Sequence, residues 1–202
     1  MPTAVPPAGA VVVGAGVIGT AVAFELARRG HRVVCVDKGP GPGYGSTSAS
    51  SAVIRFSYST PTGVAAAWEG MHYWKHWVDY LGCDDELGHA RLIQCGMALL
   101  IADARGHHER VQPIWDRLGV PYEHWDLDEL RRRMPAFDVR RFGPPARADQ
   151  PDFWNDPDGE HLGALYSPDA GYVDDPQLAA HNLMRAAGAV GATFRFRSKV
   201  VG

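Results

Sequence analysis

The chain has 202 residues, of which 46% are hydrophobic and 21% are charged, a composition that excludes a wholly disordered protein. Its 20 basic and 23 acidic residues give a net charge of −3, without the basic stripe that a nucleic-acid-binding surface requires, so no nucleic-acid partner is expected. The three cysteines, an odd number without paired spacing, are typical of a reducing compartment, and we predict a cytoplasmic protein.

The N-terminal region predicts neither a membrane anchor nor a signal peptide. Met1–Ala8 is rich in proline and is expected to form a loose arm. The uncharged stretch from Ala10 to Phe24 is too short, at 15 residues, to cross a bilayer. No basic residue precedes it, as one would in a signal peptide. We therefore expect no membrane partner and interpret this stretch as a buried strand, a turn and a helix.

A complete βαβ unit is predicted directly after the arm. Val11–Val13 is a β-branched run typical of a buried parallel strand. Val17–Arg29 carries apolar residues at helical spacing, and a glycine then ends the helix. His31–Val36 is predicted to be the second strand. The turn between the first strand and the helix reads Gly-Ala-Gly-Val-Ile-Gly over 14–19.

The three glycines of this turn and the acid after the second strand predict a dinucleotide site. Gly14 permits a tight turn, Gly16 lets the backbone approach a pyrophosphate, and Gly19 lets the helix pack closely on the strand. The pyrophosphate would bind at the helix N-terminus. Asp37, 18 residues after Gly19, can accept hydrogen bonds from both ribose hydroxyls and disfavours the 2′-phosphate of NADP. The alternative is a purely structural glycine turn.

The segment Lys38–Thr60 is rich in glycine and serine and favours FAD over NAD. A flexible linker is the alternative, but the apolar run Ala52–Ile54 lies within it, and disordered linkers do not usually lead into a buried strand. In an NAD dehydrogenase the second strand usually leads into another crossover helix. Here the hydroxyls of Ser46, Thr47 and Ser48 could instead bind phosphate and ribityl oxygens on the way to a flavin.

The rest of the chain differs in texture and is rich in tryptophan, arginine and proline. The patterns predict an amphipathic helix over Thr62–Leu81, followed by one bent strand or a strand pair over Leu92–Ile101 with a kink at Gly96. Helices are then predicted over Gly106–Leu118 and Leu127–Met134, and a long surface excursion over Phe137–Gly163. The chain continues with a predicted helix that Asp174 or Asp175 caps and Gly188 ends, and with a strand over Thr193–Val201. Arg131–Arg133 is interpreted as a solvated helix face. The nine histidines show no zinc-binding spacing, so no metal is expected.

These elements predict an α/β fold, with a FAD/NAD(P)-binding Rossmann-like domain and part of an inserted α+β substrate domain. The expected boundaries are 1–60 for the Rossmann-like βαβ unit and flavin loop, 61–170 for the partial substrate domain and helical segments, and 171–202 for the return to the FAD-binding domain.

Two stretches carry a resemblance to a known family. The βαβ sequence GAGVIGTAVAFELARRGHRVVCVDKG, followed by GYGSTSASSAVIRFSYS, resembles the D-amino-acid oxidase superfamily of FAD-dependent oxidoreductases. The branch that holds sarcosine oxidase, glycine oxidase and dimethylglycine dehydrogenase is the most similar. The late segment SPDAGYVDDPQLAAHNLMRAAGAVGATF is also similar to that branch. The resemblance implies an enzyme that oxidises the C–N bond of an amino acid or of a secondary or tertiary amine.

The resemblance also implies roles for particular residues. Arg55 matches an arginine that helps to bind the substrate carboxylate in sarcosine-oxidase-like members, and a structural salt bridge is the alternative. Sarcosine oxidases carry a basic residue where Ala52 stands, so the flavin environment must differ. The backbone of Val200 matches the position that touches adenine. The residues that would bind FAD are Gly14, Ala15, Gly16, Val17, Ile18, Gly19, Asp37, Lys38, Gly45, Ser46, Thr47, Ser48 and Val200.

Members of this family are considerably longer, and the resemblance covers their N-terminal portion. We therefore expect a second chain that supplies the C-terminal half, or a non-catalytic fragment that binds only the adenosine half of a dinucleotide. An NAD-dependent dehydrogenase is the weaker alternative. No catalytic residue is assigned, because hydride transfer to a flavin can proceed without a base, and Glu69, His72 and His76 are interpreted as the polar face of a helix.

Overall fold

The computed structural model describes residues 9–142 and 146–201, so the predicted proline-rich arm lies outside the described residues. The chain divides into two compact units. The first contains the residues up to Ile54, Met71–Ile93 and the residues from Tyr172 onward, and the second contains Arg55–Gly70 and Gln94–Gly171. The domain boundaries expected from the sequence, 1–60, 61–170 and 171–202, stay a prediction. No helix among the described residues is long and apolar enough to cross a membrane.

The elements alternate between strands and helices along much of the chain. They are β1 (Ala10–Val13), α1 (Val17–Arg28), β2 (Val33–Val36), β3 (Val53–Ile54), α2 (Pro61–Lys75), α3 (Trp77–Leu81), β4 (Leu92–Ile93), β5 (Met97–Ile101), α4 (His108–Leu118), β6 (Glu123–Asp126), α5 (Leu127–Arg133), a short 3₁₀ helix (Pro151–Trp154), β7 (Gly163–Ser167), β8 (Gly171–Val173), α6 (Pro176–Ala189) and β9 (Thr193–Arg195).

The first unit is built on a parallel sheet with the strand order β1-β2-β9. Helices α1 and α6 pack against each other. The core of the unit contains Val33 and Cys35 of β2 together with Ala23 of α1 and Leu183 of α6. A parallel sheet with crossover helices is the architecture of dinucleotide-binding folds, and the predicted α/β Rossmann-like class is confirmed.

The other face of this sheet exposes valines. Val12 packs against the core, whereas its neighbours Val11 and Val13 are 61% and 66% exposed. Side chains alternate along a strand, so these two valines point to the opposite face from Val12. β1 is also one of the two edge strands of the described sheet, with the order β1-β2-β9. Parallel sheets normally have both faces covered by other polypeptide. The face that carries Val11 and Val13 is therefore suited to packing against a further layer of polypeptide.

The predicted helix over Thr62–Leu81 is wrong in its continuity. It is broken at His76, which has φ −116° and ψ 39°, so that α2 ends at Lys75 and α3 begins at Trp77. The break carries Trp77 into the core, where its ring stacks on Trp74 with centroids 4.3 Å apart. Val78, the next residue of α3, is 51% exposed. Burial of the larger aromatic side chain therefore sets the register of α3.

Helix α6 begins at the predicted acidic cap. The Asp175 carboxylate accepts a hydrogen bond from the amide of Leu178 at 2.8 Å, and Pro176 occupies the first turn. Asp174 instead binds the amide and guanidinium of Arg91. Asp175 thus caps the N-terminus of α6, and Asp174 links this end of the helix to Arg91, the residue before β4.

Asn182 of α6 is completely buried and uses its whole hydrogen-bonding capacity. Its carbonyl accepts from Trp77 Nε1 at 3.3 Å and from the amide of Ala90 at 3.0 Å. Its amide group donates to Asp85 Oδ2 and to the carbonyl of Gly88, both at 2.8 Å. Three of these four hydrogen bonds join the loop over 85–90 to α6.

We expect Asn182→Ala to lower the free energy of unfolding by about 3 kcal/mol, because it leaves several buried donors and acceptors without partners. Urea denaturation measures the change. Asn155→Ala, which removes the same side chain from an exposed position, is the matched control and should change stability by less than about 0.5 kcal/mol. Equal effects of the two substitutions would contradict the role of the network.

The second unit contains an antiparallel sheet with the order β5-β7-β6. The predicted kink at Gly96 is confirmed: this residue has φ +76° and separates β4 from β5. Strands β6 and β7 were not predicted. The side chains of Arg131, Arg132 and Arg133 are exposed and form ion pairs with Glu160 and Glu129, as expected of a solvated face.

The predicted surface excursion over 137–163 is largely irregular in its described part. It contains the short 3₁₀ helix and an isolated bridge between Arg140 and Glu160. Its side chains are mostly exposed. Residues 143–145 of the excursion lie outside the described residues.

Candidate functional site

The turn between β1 and α1 needs glycine at two positions. Gly14 has φ +102°, and its amide donates to the carbonyl of Val36 at 2.8 Å. A Cβ on Gly19 would lie only 1.8 Å from the carbonyl oxygen of Gly14. Helix α1 can therefore approach the end of β1 only because residue 19 has no side chain.

Asp37 lies beside this turn and is fixed by backbone amides. Its Oδ2 accepts from the amide of Ala15, and its Oδ1 accepts from the amide of Gly39, both at 2.6 Å. Its own amide donates to the carbonyl of Arg195, and its carbonyl accepts from the amide of Ser198. The carboxylate is thus held at the carboxyl end of β2, next to the glycine turn and next to the chain that leaves β9.

A cleft of about 330 Å³ opens at this point. Its lining residues are Val13, Gly14, Val36, Asp37, Lys38, Ser198, Lys199 and Val200. The structure therefore brings together four of the predicted site residues from three distant parts of the chain. Open α/β sheets bind ligands outside the carboxyl ends of their strands, which is where this cleft lies.

Ser198 and Lys199 line the cleft but were not singled out from the sequence. The predicted strand over Thr193–Val201 is wrong at its end, because β9 stops at Arg195. The next residues turn, with Arg197 at φ +52°, and their amides bind the carbonyls of Asp37 and Gly39. A prediction that β9 pairs in parallel with β2 would have identified Ser198 and Lys199 as site residues, because this pairing brings the ends of both strands to one edge of the sheet.

Thr47 reaches the N-terminus of α1. Its hydroxyl oxygen accepts from the amide of Val17 at 3.0 Å, and the residue is buried. The loop is further fixed by the amide of Gly43, which donates to the carbonyl of Ala15 at 2.8 Å. Gly45, Ser46 and Ser48, the other loop residues predicted to bind FAD, are exposed. The Thr47 hydroxyl still has its proton to donate to a ligand at this helix end.

The predicted residue Ile18 is 79% exposed in the first turn of α1, whereas Ala15 is buried.

Next to Thr47 and Val17 lies a second, mainly apolar cavity of about 160 Å³. It is lined by Val17, Thr47, Ser50, Ala52, Val53, Ile54, Trp74, Val173, Pro176 and Ala179. Its residues come from the starts of α1 and α6 and from the segment over 47–54.

Cys35 lies below the turn as a protonated core residue. It is buried, and its thiol donates to the carbonyl of Gly14 at 3.6 Å. Burial and the nearby Asp37 carboxylate raise the pKa of the Cys35 thiol to about 11. A thiol with such a pKa is not a nucleophile at neutral pH. Cys35 is therefore a small residue of the core.

Arg55 belongs to the second unit, which begins at this residue. Its guanidinium donates to Ser57 Oγ at 3.1 Å and lies over the ring of Tyr58, 5.0 Å from the centroid. Neither Ser57 nor Tyr58 is acidic. Within the described part of the chain, Arg55 is therefore held by neutral groups and not by the structural salt bridge that the sequence left as an alternative. Arg55 is exposed, and its charge is open to an anionic ligand.

Asp85, Glu86 and His181 form the one group of described residues whose ligand atoms lie close enough together, within 4.8 Å, to hold a metal ion. The two carboxylates are already engaged. Asp85 accepts from the amide of Leu87 and from Asn182, and Glu86 pairs with Arg185 at 3.2 Å. Burial opposes ionisation of Asp85, yet these hydrogen bonds and the nearby His181 hold its pKa below the ordinary value. The prediction that no metal is bound stays a prediction.

The cleft fits the adenosine and diphosphate of a dinucleotide. Gly14 leaves open space where a Cβ would otherwise project, the first turn of α1 offers amides without intrahelical acceptors, and Asp37 provides a carboxylate. Lys38 and Lys199 add positive charge. Together with the parallel sheet, this arrangement defines the chain as one of the dinucleotide-binding α/β proteins.

Residues 10–202 match the family of FAD dependent oxidoreductases designated DAO, and the chain belongs to this family. The glycine oxidase of Geobacillus kaustophilus is 31% identical over 189 residues, which are 90% of this chain and 44% of the relative. Its solved structure has a TM-score of 0.69, with 25% identity over 96% of this chain and 47% of that one. The resemblance deduced from the sequence is confirmed, and the cofactor of the family is FAD.

One further relative and one further solved structure are similar to this chain. D-amino acid dehydrogenase 2 of Ralstonia nicotianae is 44% identical over 50 residues, which are 25% of this chain and 12% of the relative. The structure of L-proline dehydrogenase from P. horikoshii has a TM-score of 0.74, with 24% identity over 95% of this chain and 44% of that one. The chain thus spans less than half the length of these relatives.

Proposed function

We propose that this chain is the FAD-binding N-terminal portion of an oxidoreductase that oxidises the C–N bond of an amino acid or of a secondary or tertiary amine. The observation that carries the proposal is the cleft where the glycine turn and the fixed carboxylate of Asp37 meet, in a chain of an FAD-dependent family. The names of its relatives, glycine oxidase and D-amino acid dehydrogenase, support an amino-acid substrate.

In this proposal the adenosine half of FAD lies in the cleft beside β1 and β2. Asp37 accepts hydrogen bonds from the ribose hydroxyls, the backbone of Val200 contacts adenine, and Lys38 lies beside them. The diphosphate binds to those amides of the glycine turn and of the first turn of α1 that are not engaged by Val36, Asp37 or Thr47. The Thr47 hydroxyl donates to the same group, and the neighbouring loop binds farther along the cofactor. The proposed FAD contacts are those of Gly14, Ala15, Gly16, Val17, Ile18, Gly19, Asp37, Lys38, Gly45, Ser46, Thr47, Ser48 and Val200.

Bound FAD would supply the redox chemistry by accepting a hydride from the carbon next to the amine nitrogen. The chain itself has to hold the cofactor and orient the substrate. We propose that Arg55 binds the substrate carboxylate, because its planar guanidinium is exposed and is held by neutral groups. No residue of the chain is assigned as a catalytic base.

We further propose that the valine face of β1 is covered by polypeptide corresponding to the C-terminal half of the relatives, either as a continuation of this chain or as a second chain. The exposure of Val11 and Val13 on an edge strand of a parallel sheet supports this. The three free cysteines support a reducing compartment, and we propose the cytoplasm.

The double substitution Val11→Lys and Val13→Lys is expected to leave the free energy of unfolding of the 202-residue chain within about 0.5 kcal/mol of its original value, because both side chains are mainly exposed. It should prevent the C-terminal polypeptide from associating. Native mass spectrometry of tagged protein from its natural source measures the association. Glu69→Ala, which changes an exposed side chain outside this sheet, serves as the control. Unaltered association of the double variant would contradict the assignment of this face.

A non-catalytic fragment that binds only the adenosine half is the second candidate function. The cleft favours it, because its glycine turn and its Asp37 carboxylate suit the adenosine and diphosphate alone. Flavin absorbance in the purified protein that glycine or a D-amino acid bleaches under anaerobic conditions would support the enzyme. Protein that binds ADP and FAD equally well, and whose flavin no amine or amino acid reduces, would support the fragment. Protein that binds neither would contradict both.

A further inference from the structure

The segment that follows Arg55 is irregular yet tightly fastened within the second unit. The carbonyl of Phe56 accepts from Trp115 Nε1 at 2.9 Å, and both side chains are completely buried. The carbonyl of Ser57 lies 3.1 Å from His107 Nε2. Residues at the start and in the middle of α4 therefore fix the backbone on which the arginine is mounted.

The backbone also turns tightly at this point. The amide of Tyr58 donates to the carbonyl of Phe56 at 2.9 Å, a bond between residues two apart. This turn brings Ser57 and Tyr58 back toward the side chain of Arg55. Ser57 is buried, whereas Arg55 and Tyr58 are exposed. The arginine thus rests on one buried group and one surface ring.

Three contacts limit the freedom of the guanidinium, and one of them is a hydrogen bond from Arg55 Nη1 to the backbone carbonyl of Ser57 at 3.4 Å. Ser57 Oγ accepts from Arg55 Nη1 at 3.1 Å and is itself 3.9 Å from the sulfur of Met97, to which it can donate its proton. The hydroxyl therefore presents its lone pairs to the arginine. The Tyr58 ring lies 5.0 Å from the guanidinium carbon. These contacts engage one nitrogen and one face of the guanidinium and leave its other nitrogens available to a carboxylate.

We propose that Ser57 and Tyr58 are positioning residues that hold the Arg55 guanidinium ready to bind a carboxylate. The inference rests on the role given to Arg55 under the proposed function. A long side chain that is ordered only on binding loses conformational entropy at that step, which lowers the affinity. The contacts with Ser57 and Tyr58 order the Arg55 side chain before the ligand binds, so less entropy is lost on binding. Ser57 supplies the hydrogen bond that sets direction, and Tyr58 supplies the surface over which the planar group lies.

The test measures the affinity of the FAD-loaded chain for benzoate, a carboxylate without an amine, with uncharged benzamide as the control ligand. Ser57→Ala and Tyr58→Leu should each raise the Kd for benzoate by about fivefold, as expected when one side chain must be ordered on binding. Tyr58→Phe keeps the ring and should bind benzoate like the unaltered protein. Ser59→Ala, an exposed serine in the same segment, is the matched control and should change nothing.

A purely structural role would show in different measurements. The proposal expects the affinity for FAD and the free energy of unfolding to stay unchanged in Tyr58→Leu, and the Nε–H group of Arg55 to become more mobile in ¹⁵N relaxation. Equal Kd values for benzoate in all variants, or a Tyr58→Phe variant as weak as Tyr58→Leu, would overturn the positioning role. Binding of FAD without any binding of benzoate would overturn the role of Arg55 and this inference with it. Failure to bind FAD would instead overturn the proposed function.

Discussion

Replacing Gly19 with alanine is expected to abolish FAD binding and to lower the free energy of unfolding by about 3 kcal/mol. The new Cβ would lie 1.8 Å from the carbonyl oxygen of Gly14, a backbone atom that cannot move aside as a flexible side chain would. Helix α1 must then withdraw from β1, and the amides that bind the diphosphate withdraw with it. Urea denaturation and titration with FAD measure the two effects.

Gly188→Ala is the matched control, because it adds the same methyl group to another helix of the first unit. A Cβ at Gly188 meets nothing within 4 Å, so stability should stay the same or rise by about 0.5 kcal/mol. FAD affinity should not change. A Gly19→Ala variant as stable as the Gly188→Ala variant would show that α1 and β1 do not need their close approach.

Replacing Asp37 with alanine is expected to weaken FAD binding by about 100-fold. The substitution removes the acceptor of the ribose hydroxyls and frees the amides of Ala15 and Gly39, which now donate to the carboxylate at 2.6 Å. Hydrogen bonds to a charged group are each worth about 1.5–3 kcal/mol, which is roughly tenfold or more in affinity. Calorimetric titration with FAD measures the loss.

Asp84→Ala removes the same charge from an exposed position outside the cleft and should leave FAD affinity unchanged. Asp37→Asn, which keeps one acceptor oxygen, should give an intermediate Kd. If Asp37→Ala bound FAD as well as Asp84→Ala does, the adenosine ribose would have to bind elsewhere.

The βαβ unit could be predicted from the sequence because its rules are local. The valine run, the spacing of Gly14, Gly16 and Gly19, and the acid after the second strand each depend on neighbouring residues. The structure places Gly14, Asp37 and Val200 at one cleft, as a site formed at strand ends requires. Their contacts with FAD stay a prediction.

Other features depend on packing between distant segments and could not be predicted in this way. The break at His76 follows from the burial of Trp77, which helical spacing alone does not reveal. The hydrogen bond from the amide of Val17 to Thr47 joins a helix to a loop far along the chain. Ser198 lies at the site because β9 pairs with β2, and no local sequence pattern predicts that pairing.

We propose that the cleft beside the glycine turn binds the adenosine diphosphate half of FAD. This binding can be tested by recording amide chemical shifts of the ¹⁵N-labelled chain during titration with ADP. The shifts should be concentrated over 14–19, 37–39 and 198–200, and the same residues should respond to FAD. No response to ADP, or shifts confined to the second unit, would contradict it.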